Sequence, residues 1–231
     1  MMYWSLQPKN LALKLFSRLN LYLNRIIFIL MLLISGCSVL QTKPAAPQSS
    51  SINEKHLASL ANIKSFSLKG RLGVVTNPRG FSGGLEWQHQ SAKDNQTSDN
   101  KTSTDNIDIF SPVGGKVANI NKIQSGVTLT SQDGHTIKTQ DAESLTEATL
   151  GWRLPLTGLS DWALGKPTAS KIDAATWDEN GRLTTLKQDG WDISYENYAE
   201  NNGIFLPKKV LLKSDKVNLK LLIDQWISAT N

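Results

Sequence analysis

Hydrophobic and polar residues alternate along most of the chain after residue 63, which is the period that places every second side chain on one face of a β-strand. Phe66 and Leu68, for example, are separated by a single polar residue. Short turn sequences such as Asp133-Gly134 and Asp189-Gly190 separate successive segments at hairpin spacing. The pattern predicts a mainly β fold of about eleven antiparallel strands. These strands are 64–76, 81–90, 107–111, 116–123, 127–131, 135–140, 171–177, 183–188, 191–198, 208–213 and 217–227.

The segment 141–167 departs from this alternation and is predicted to be helical, with two short helices over 142–150 and 159–164 and a break at Pro155. It lies between the sixth and seventh predicted strands, where a hairpin turn would suffice in a simple meander. A curved antiparallel sheet with an apolar inner face holds either packed side chains or a ligand beneath such a helical cover. Periodicity does not distinguish a filled core from a cavity, so both interpretations stand.

Composition sets the expected domain organisation. Residues 37–52, with Pro44, Pro47 and a serine run, are expected to form a flexible spacer. The folded domain is expected to span 53–231 and to begin with a short helix near 54–63. Within it, residues 91–106 contain almost nothing that can be buried. They are expected to form a disordered polar loop, to which we assign no function.

The N-terminal region has the parts of a secretory signal. Basic residues without any acidic residue precede an apolar block over 26–34, and the sequence Ile34-Ser35-Gly36-Cys37 follows. This tetrapeptide resembles a bacterial lipobox, which predicts a signal peptide over 1–36 and a lipid on Cys37. The alternatives are a buried free thiol, a chance residue, or the end of an uncleaved membrane anchor. A membrane-spanning helix needs about 20 apolar residues, and this block has 9, which favours lipidation.

Charge and cysteine usage exclude several classes of partner and site. The net charge is +5, but residues 1–36 hold 4 of the 25 basic residues and none of the 20 acidic ones. The rest of the chain therefore has no overall charge excess to indicate nucleic acid or anionic lipid as a partner. Cys37 is the only cysteine, so a lipid on it leaves no disulfide and no thiolate metal site. No cofactor is expected.

Catalytic motifs in a fitting context are missing from the sequence. It contains no H-E-x-x-H and no phosphate-binding loop, and the letters G-x-S-x-G occur only at 80–84, at the start of a predicted strand and not in the strand-to-helix turn of a hydrolase nucleophile. No two of His56, His89 and His135 have the spacing of metal ligands, and each is expected to be a surface residue. We therefore do not expect an enzyme.

A specific resemblance is found in the helical segment. Residues 154–167 contain the pattern P-L-x-x-L-x-x-W-x-L-G-x-P, which resembles a segment of the LolB family of outer-membrane lipoprotein receptors. Shorter matches follow the family's order along the chain, and with the lipobox they span essentially all of it after residue 36. They are Lys69-Gly70-Arg71-Leu72, Glu86-Trp87-Gln88, Ser111-Pro112-Val113-Gly114, Trp191-Asp192-Ile193-Ser194-Tyr195, and the pieces 219–221 and 225–227.

The resemblance implies an incomplete β-barrel with a helical lid, formed by 141–167, over an apolar cavity. It implies a monomeric, lipid-anchored protein on the periplasmic face of the outer membrane. Such a protein accepts acylated lipoproteins from a soluble carrier of the LolA type, which is related in fold, and inserts them into outer-membrane lipid. Alternation and helical stripes then give the residues expected to line the cavity. These are Leu85, Trp87, Ile107, Ile109, Leu129, Ile137, Trp152, Leu154, Leu156 and Trp162.

The resemblance also assigns a membrane-insertion loop to Pro112, Val113 and Gly114. The family carries an exposed apolar residue at the central position, commonly leucine, and this chain has the smaller valine. A valine that folds back on the core is the alternative. For the whole protein, the rival hypothesis is a lipid-anchored interaction module with a filled core, whose sheet edge binds another envelope protein.

Overall fold

The computed structural model describes residues 47–77, 80–91, 103–123 and 125–230. Cys37, the signal peptide, the spacer up to residue 46 and residues 92–102 of the polar loop lie outside these ranges. The helices are α1 (Pro47–Ala61), α2 (Ala142–Leu150) and α3 (Leu159–Leu164). The strands are β1 (Ser65–Thr76), β2 (Gly80–Gln90), β3 (Thr104–Phe110), β4 (Lys116–Ile123), β5 (Gly126–Ser131), β6 (Thr136–Thr139), β7 (Ile172–Trp177), β8 (Leu183–Gln188), β9 (Trp191–Asn201), β10 (Ile204–Lys213) and β11 (Val217–Thr230).

All eleven strands belong to one unclosed antiparallel sheet, in the order β6-β5-β4-β3-β2-β1-β11-β10-β9-β8-β7. Apart from β6 and β7, strands that are consecutive in the chain pair with each other, and the first and last strands pair in the middle of the sheet. The two edges of the sheet are therefore β6 and β7. Because these edges follow one another in the chain, the segment with α2 and α3 runs from one edge of the sheet to the other. This explains why no hairpin turn joins them.

Alternation along the strands produces the inner apolar face. In β1, Phe66, Leu68 and Leu72 are buried, whereas Lys69 and Arg71 are exposed. Each large apolar side chain moved out of water contributes on the order of 1.5–3 kcal/mol. The sheet's inner face is therefore a major source of the folding free energy.

Two glycines allow neighbouring strands to approach closely where the sheet curves. A Cβ on Gly70 would lie 2.2 Å from the carbonyl oxygen of Leu222, and one on Gly83 would lie 1.9 Å from that of Phe110. The register between β1 and β11 shifts next to Gly70, as expected for a bulge that bends a strand. The Lys69-Gly70-Arg71-Leu72 motif thus has a physical reason for its glycine.

The structure corrects two expected boundaries. Residues 47–52 were assigned to the flexible spacer, but they form the first turns of α1. This helix packs Leu60 into the core, and its backbone at Ile52 lies so close to Gly181 that a Cβ there would be 2.7 Å away. Residues 104–106 were assigned to the polar loop, but they begin β3, and Asp105 is buried.

Candidate functional site

The space between the inner face of the sheet and the helical segment is apolar and nearly full. Nine side chains line a cavity of only about 10 Å³. That is no more than one water molecule needs, and an entirely apolar lining leaves such a space dry. The lining residues are Leu72, Leu85, Trp87, Ile107, Leu154, Leu159, Leu212, Leu219 and Leu221. The expected apolar interior is present, and in this structure it is closed.

Most residues predicted to line the cavity are buried in this core, namely Leu85, Trp87, Ile107, Ile109, Leu129, Trp152, Leu154, Leu156 and Trp162. Ile137 is the exception, because 37% of its surface is exposed. It pairs with the buried Leu129 across β5 and β6 and so shares its face of the sheet. Since β6 is an edge strand, no further strand covers Ile137. Alternation gave the correct face but the wrong degree of burial.

The segment over the interior, residues 141–167, is called the lid from here on. Asp141 is the N-cap of its first helix, α2. The Asp141 carboxylate accepts hydrogen bonds from the backbone N–H groups of Glu143 and Ser144 at 3.1 Å. The hydroxyl of Thr146 in that helix accepts from the backbone of Leu154 at 3.0 Å and so fixes the extended stretch that follows. Local capping therefore determines where the lid turns.

Two polar contacts fasten the lid to opposite parts of the sheet. On the β4 side, Lys122 Nζ donates to the backbone oxygen of Leu156 at 3.0 Å. On the β8 side, Trp162 Nε1 donates to Gln188 Oε1 at 3.1 Å. Gln188 is fully buried and also bonds the backbone of Thr168 just after the lid. The lid is held by apolar packing along its length and by these two directional anchors.

A buried polar cluster lies beneath the lid on β2 and β3. The carboxylate of Asp105 accepts from Trp87 Nε1 at 3.0 Å and lies 2.7 Å from His89 Nδ1. Its second oxygen is 3.7 Å from Lys122 Nζ. The ammonium group that anchors the lid is thus also the counter-ion of a buried carboxylate, and this pairing explains how Asp105 is tolerated inside.

The histidines were expected at the surface, and this is wrong for His89, which is buried and stacks on Phe66 with ring centroids 4.8 Å apart. Its position two residues after Trp87 was the available signal, because both share the inward phase of β2. His56 in α1 is half-buried; burial lowers its pKa, and the Arg182 guanidinium lowers it further. His135 is exposed in the β5–β6 turn.

The β3–β4 turn displays a single apolar side chain. Val113 is 94% exposed, which excludes the alternative that it folds back on the core. The turn is well fastened, because Ser111 N–H donates to the Gly115 carbonyl at 2.7 Å and Ser111 Oγ accepts from Gly115 N–H at 3.1 Å. Gly114 has φ +90°, a backbone conformation that favours glycine. The valine is therefore held outward by the turn itself.

Neither a metal site nor a membrane-crossing helix is found in the described parts of the chain. No three His, Cys, Asp or Glu residues there come together as metal ligands. No helix among the same residues is long and apolar enough to span a bilayer.

Comparisons with known proteins show what the chain is similar to. The family model described as outer membrane lipoprotein LolB matches residues 64–226. An outer-membrane lipoprotein LolB from Nitrosomonas europaea is 36% identical over 175 residues, which are 75% of this chain and 77% of that protein. Another from Pseudomonas paraeruginosa is 29% identical over 197 residues, or 84% and 90% of the two chains. Among solved structures, a LolA superfamily protein from Nitrosomonas europaea is 12% identical, with a TM-score of 0.44, and the match covers 79% of this chain and 93% of that one.

Proposed function

The chain belongs to the LolB family, and we propose that it accepts acylated lipoproteins from a soluble periplasmic carrier of the LolA type. Members of this family are outer-membrane lipoproteins that act as receptors in lipoprotein localisation, not enzymes, and this chain has that role and location. The proposal adds the carrier, the place where acyl chains bind and the group that contacts the membrane. The acyl-chain site and the membrane contact are each supported by residues described above, and the carrier is inferred from the family.

The lid-covered apolar interior carries the proposal. Moving acyl chains out of water is worth about 0.8 kcal/mol per methylene group, so a lipoprotein leaves its carrier only for a surface of comparable apolarity. The inner face of the sheet and the underside of the lid provide such a surface, without a charged group among the nine lining residues. This apolar surface lies directly beneath the helical lid, which contributes Leu154 and Leu159 to its lining.

Loading requires the lid to move. A cavity of about 10 Å³ holds none of an acyl chain, whereas small-molecule sites are typically about 300–1,000 Å³. We place the movement at the two anchors, where Lys122 releases the Leu156 carbonyl and Gln188 releases Trp162. Acyl chains then replace the lid residues Leu154 and Leu159 against the inner face of the sheet. The closed state protects the apolar interior between deliveries.

We further propose that Cys37 carries the lipid that anchors the protein, and that Val113 contacts the membrane during release. Cys37 lies outside the described residues, and its assignment rests on the sequence around it. Val113 is supported by its 94% exposure on a fastened turn. An apolar side chain on such a turn enters a bilayer at little conformational cost.

The test is a stepwise transfer. A carrier loaded with labelled lipoprotein is incubated with this protein lacking its lipid, and then with liposomes, and the label is followed at each step. We expect the label to move to this protein and then to the liposomes. Retention of the label on the carrier would overturn the proposal.

Uptake into the interior is tested separately with the apolar dye bis-ANS. Binding of the dye and its displacement by a lipoprotein are expected if the lid opens. Neither binding nor displacement would occur if the protein were the rival interaction module. The filled interior of this structure is also what that rival hypothesis expects. Gln188→Leu, which removes the lid anchor on β8, serves as the comparison and should increase uptake if the anchors hold the lid closed.

The role of Val113 is tested by Val113→Glu. This variant should fold normally and accept lipoprotein from the carrier, but it should fail to pass the lipoprotein to liposomes, because a carboxylate opposes entry into the bilayer. Normal delivery by a stably folded Val113→Glu protein would disprove the membrane contact.

A further inference from the structure

A groove on the outer face of the sheet is far larger than the space beneath the lid. Its volume is about 670 Å³, and it crosses β1 and β7–β11. We call it the outer groove. The outward-facing residues that line it include Val75, Ala174, Lys187, Leu211, Lys213 and Lys220.

The outer groove contains apolar side chains although it faces solvent. Val75 is 62% exposed, and Leu211 and Ala174 also lie at outward positions, on β10 and β7, with polar side chains of β11, β9 and β8 between them. Gly73 contributes space, because its position in the middle of β1 has no side chain. Outward positions of a sheet are ordinarily polar, so these apolar residues need a reason.

The charged residues of the outer groove are mostly basic. Lys187, Lys213 and Lys220 line it together with one carboxylate, Asp192, which lies 3.3 Å from Lys187 Nζ. Asp192 is also opposite Lys213 across β9 and β10, but within the parts of the chain that the structure describes Lys213 and Lys220 form no ion pair. Two ammonium groups therefore lie among the apolar residues of the groove. This combination matches an amphiphile whose polar end is anionic.

The outer groove and the Val113 turn lie at the same end of the sheet. Thr76 at the end of β1 pairs with Val217 at the start of β11, next to the groove residues Lys213 and Asn218. Phe110, immediately before the Val113 turn, pairs with Gly84 near the start of β2. The turns that follow β1, β3 and β10 are thus at one end, and α1 leads into β1 at the other.

We propose that the outer groove binds an anionic phospholipid of the membrane into which cargo is released. Its phosphate lies between Lys213 and Lys220, and part of one acyl chain covers Val75 and Leu211. The inference rests on the proposed function in one respect, that the Val113 turn faces this membrane. A concave site of this volume fits one lipid, whereas an acidic protein would need a flatter surface of about 800 Å² on each partner. The lipid is therefore favoured.

The test uses the full-length, lipid-anchored protein reconstituted in phosphatidylcholine vesicles that contain a photoreactive phospholipid. One arm uses phosphatidylglycerol as the photoreactive species, and the other uses phosphatidylcholine. After illumination, labelled positions are identified by mass spectrometry. Glycerol phosphate in solution is added in a third arm to find whether the headgroup alone competes. No cargo is present, so failure of lipoprotein transfer does not affect this result.

Phosphatidylglycerol should label the strands around Val75 and Leu211, and phosphatidylcholine should label them far less. The Lys213→Gln, Lys220→Gln variant should lower this labelling about 25-fold, since each lysine near an anionic surface accounts for about fivefold. The matched control Lys55→Gln, Lys138→Gln removes two exposed lysines on α1 and β6 and should leave the labelling unchanged. Val75→Ser, at an exposed position that does not support the core, should lower it without any charge change.

Equal labelling of the groove by both phospholipids, or no effect of the Lys213→Gln, Lys220→Gln change, would overturn the proposal. A further result would also overturn it: if the Lys213→Gln, Lys220→Gln variant lost carrier binding but kept lipid labelling, the groove would be a protein-docking surface. If glycerol phosphate abolished the labelling by phosphatidylglycerol and no label were found around Leu211, the groove would bind only a phosphate group. That result would overturn the proposed acyl-chain contact.

Discussion

The lid-covered interior and the side chain at the tip of the Val113 turn are both apolar, but the first is covered and the second is exposed. The interior is closed and leaves a cavity of only about 10 Å³, whereas Val113 is 94% exposed. The difference follows from the amount of apolar surface. Nine large side chains left open to water would cost many times the roughly 1.5–3 kcal/mol of a single one, so they need a cover. One valine on a rigid turn does not.

The comparison separates two requirements of lipid handling. A surface that binds acyl chains must be large, and it must therefore be hidden when empty. A surface that first touches a membrane must be available at all times, and it must therefore be small. Under the proposed function, the polar anchors at Lys122 and Gln188 would serve the first requirement. The hydrogen bonds around Ser111 would serve the second, because they fix the turn and not the core.

The largest expected effect on stability is at Trp87, in the interior. Trp87→Ala removes a side chain that is 1% exposed and should lower the free energy of unfolding by about 3–5 kcal/mol. It also removes the hydrogen bond to the buried carboxylate of Asp105. Urea denaturation followed by circular dichroism measures the change. Trp87→Phe keeps most of the packing and should lose less; equal losses in the two variants would show that packing is not the main contribution.

The next effect is at the lid anchor Gln188. Gln188→Leu leaves the N–H groups of Trp162 and Thr168 without their acceptor, and each buried unsatisfied group costs about 1–3 kcal/mol. We expect the free energy of unfolding to fall by about 2–3 kcal/mol and bis-ANS uptake to rise because the lid loosens. Hydrogen exchange should increase in 154–167 before it increases in β1. Uniformly faster exchange over the whole sheet would contradict a lid that opens as a unit.

A smaller effect on stability is expected from pH, through His56 in α1, at the end of the sheet opposite the Val113 turn. Burial and Arg182 lower the pKa of His56 in the folded state, so folding favours its neutral form. The stabilisation is therefore fully present above the unfolded-state pKa of about 6.5 and is lost as pH falls through the lowered folded-state value. Chemical denaturation between pH 7.5 and 5 measures it. His56→Gln should reduce the slope over this range, and an unchanged slope would show that His56 does not contribute.

Sequence reasoning succeeded where the signal was local and failed where it depended on distant residues. The eleven strands were predicted because alternation and turn residues lie within each hairpin. The pairing of β1 with β11 was not predicted, and without it the lid's path from one sheet edge to the other had no explanation. Asp105 was assigned to a polar loop because its partners Trp87 and Lys122 are distant in sequence. Ile137 was given the right face, but only the strand order shows that it is at an edge.

The outer groove is the clearest case of this kind. Overall charge gave no reason to expect an anionic partner, since basic and acidic residues nearly balance after residue 36. Lys187, Lys213 and Lys220 lie on three different strands, and only the sheet register brings them together in one groove. A balanced total charge therefore conceals a local excess whenever like charges come from separate strands.

The smallest structural change gives the sharpest test of the displayed surface. Val113→Leu adds one methylene group to a side chain that touches little of the protein, so the free energy of unfolding should change by less than about 0.5 kcal/mol. If that side chain enters the bilayer during release, the added group is worth up to about 0.8 kcal/mol there, or about a fourfold faster delivery to liposomes. Val113→Thr, of nearly the same shape but with a hydroxyl, should slow delivery instead. Equal delivery rates for leucine, valine and threonine would mean that the turn does not enter the membrane. The exposure of Val113 would then have no role in lipid handling, and only the covered interior would.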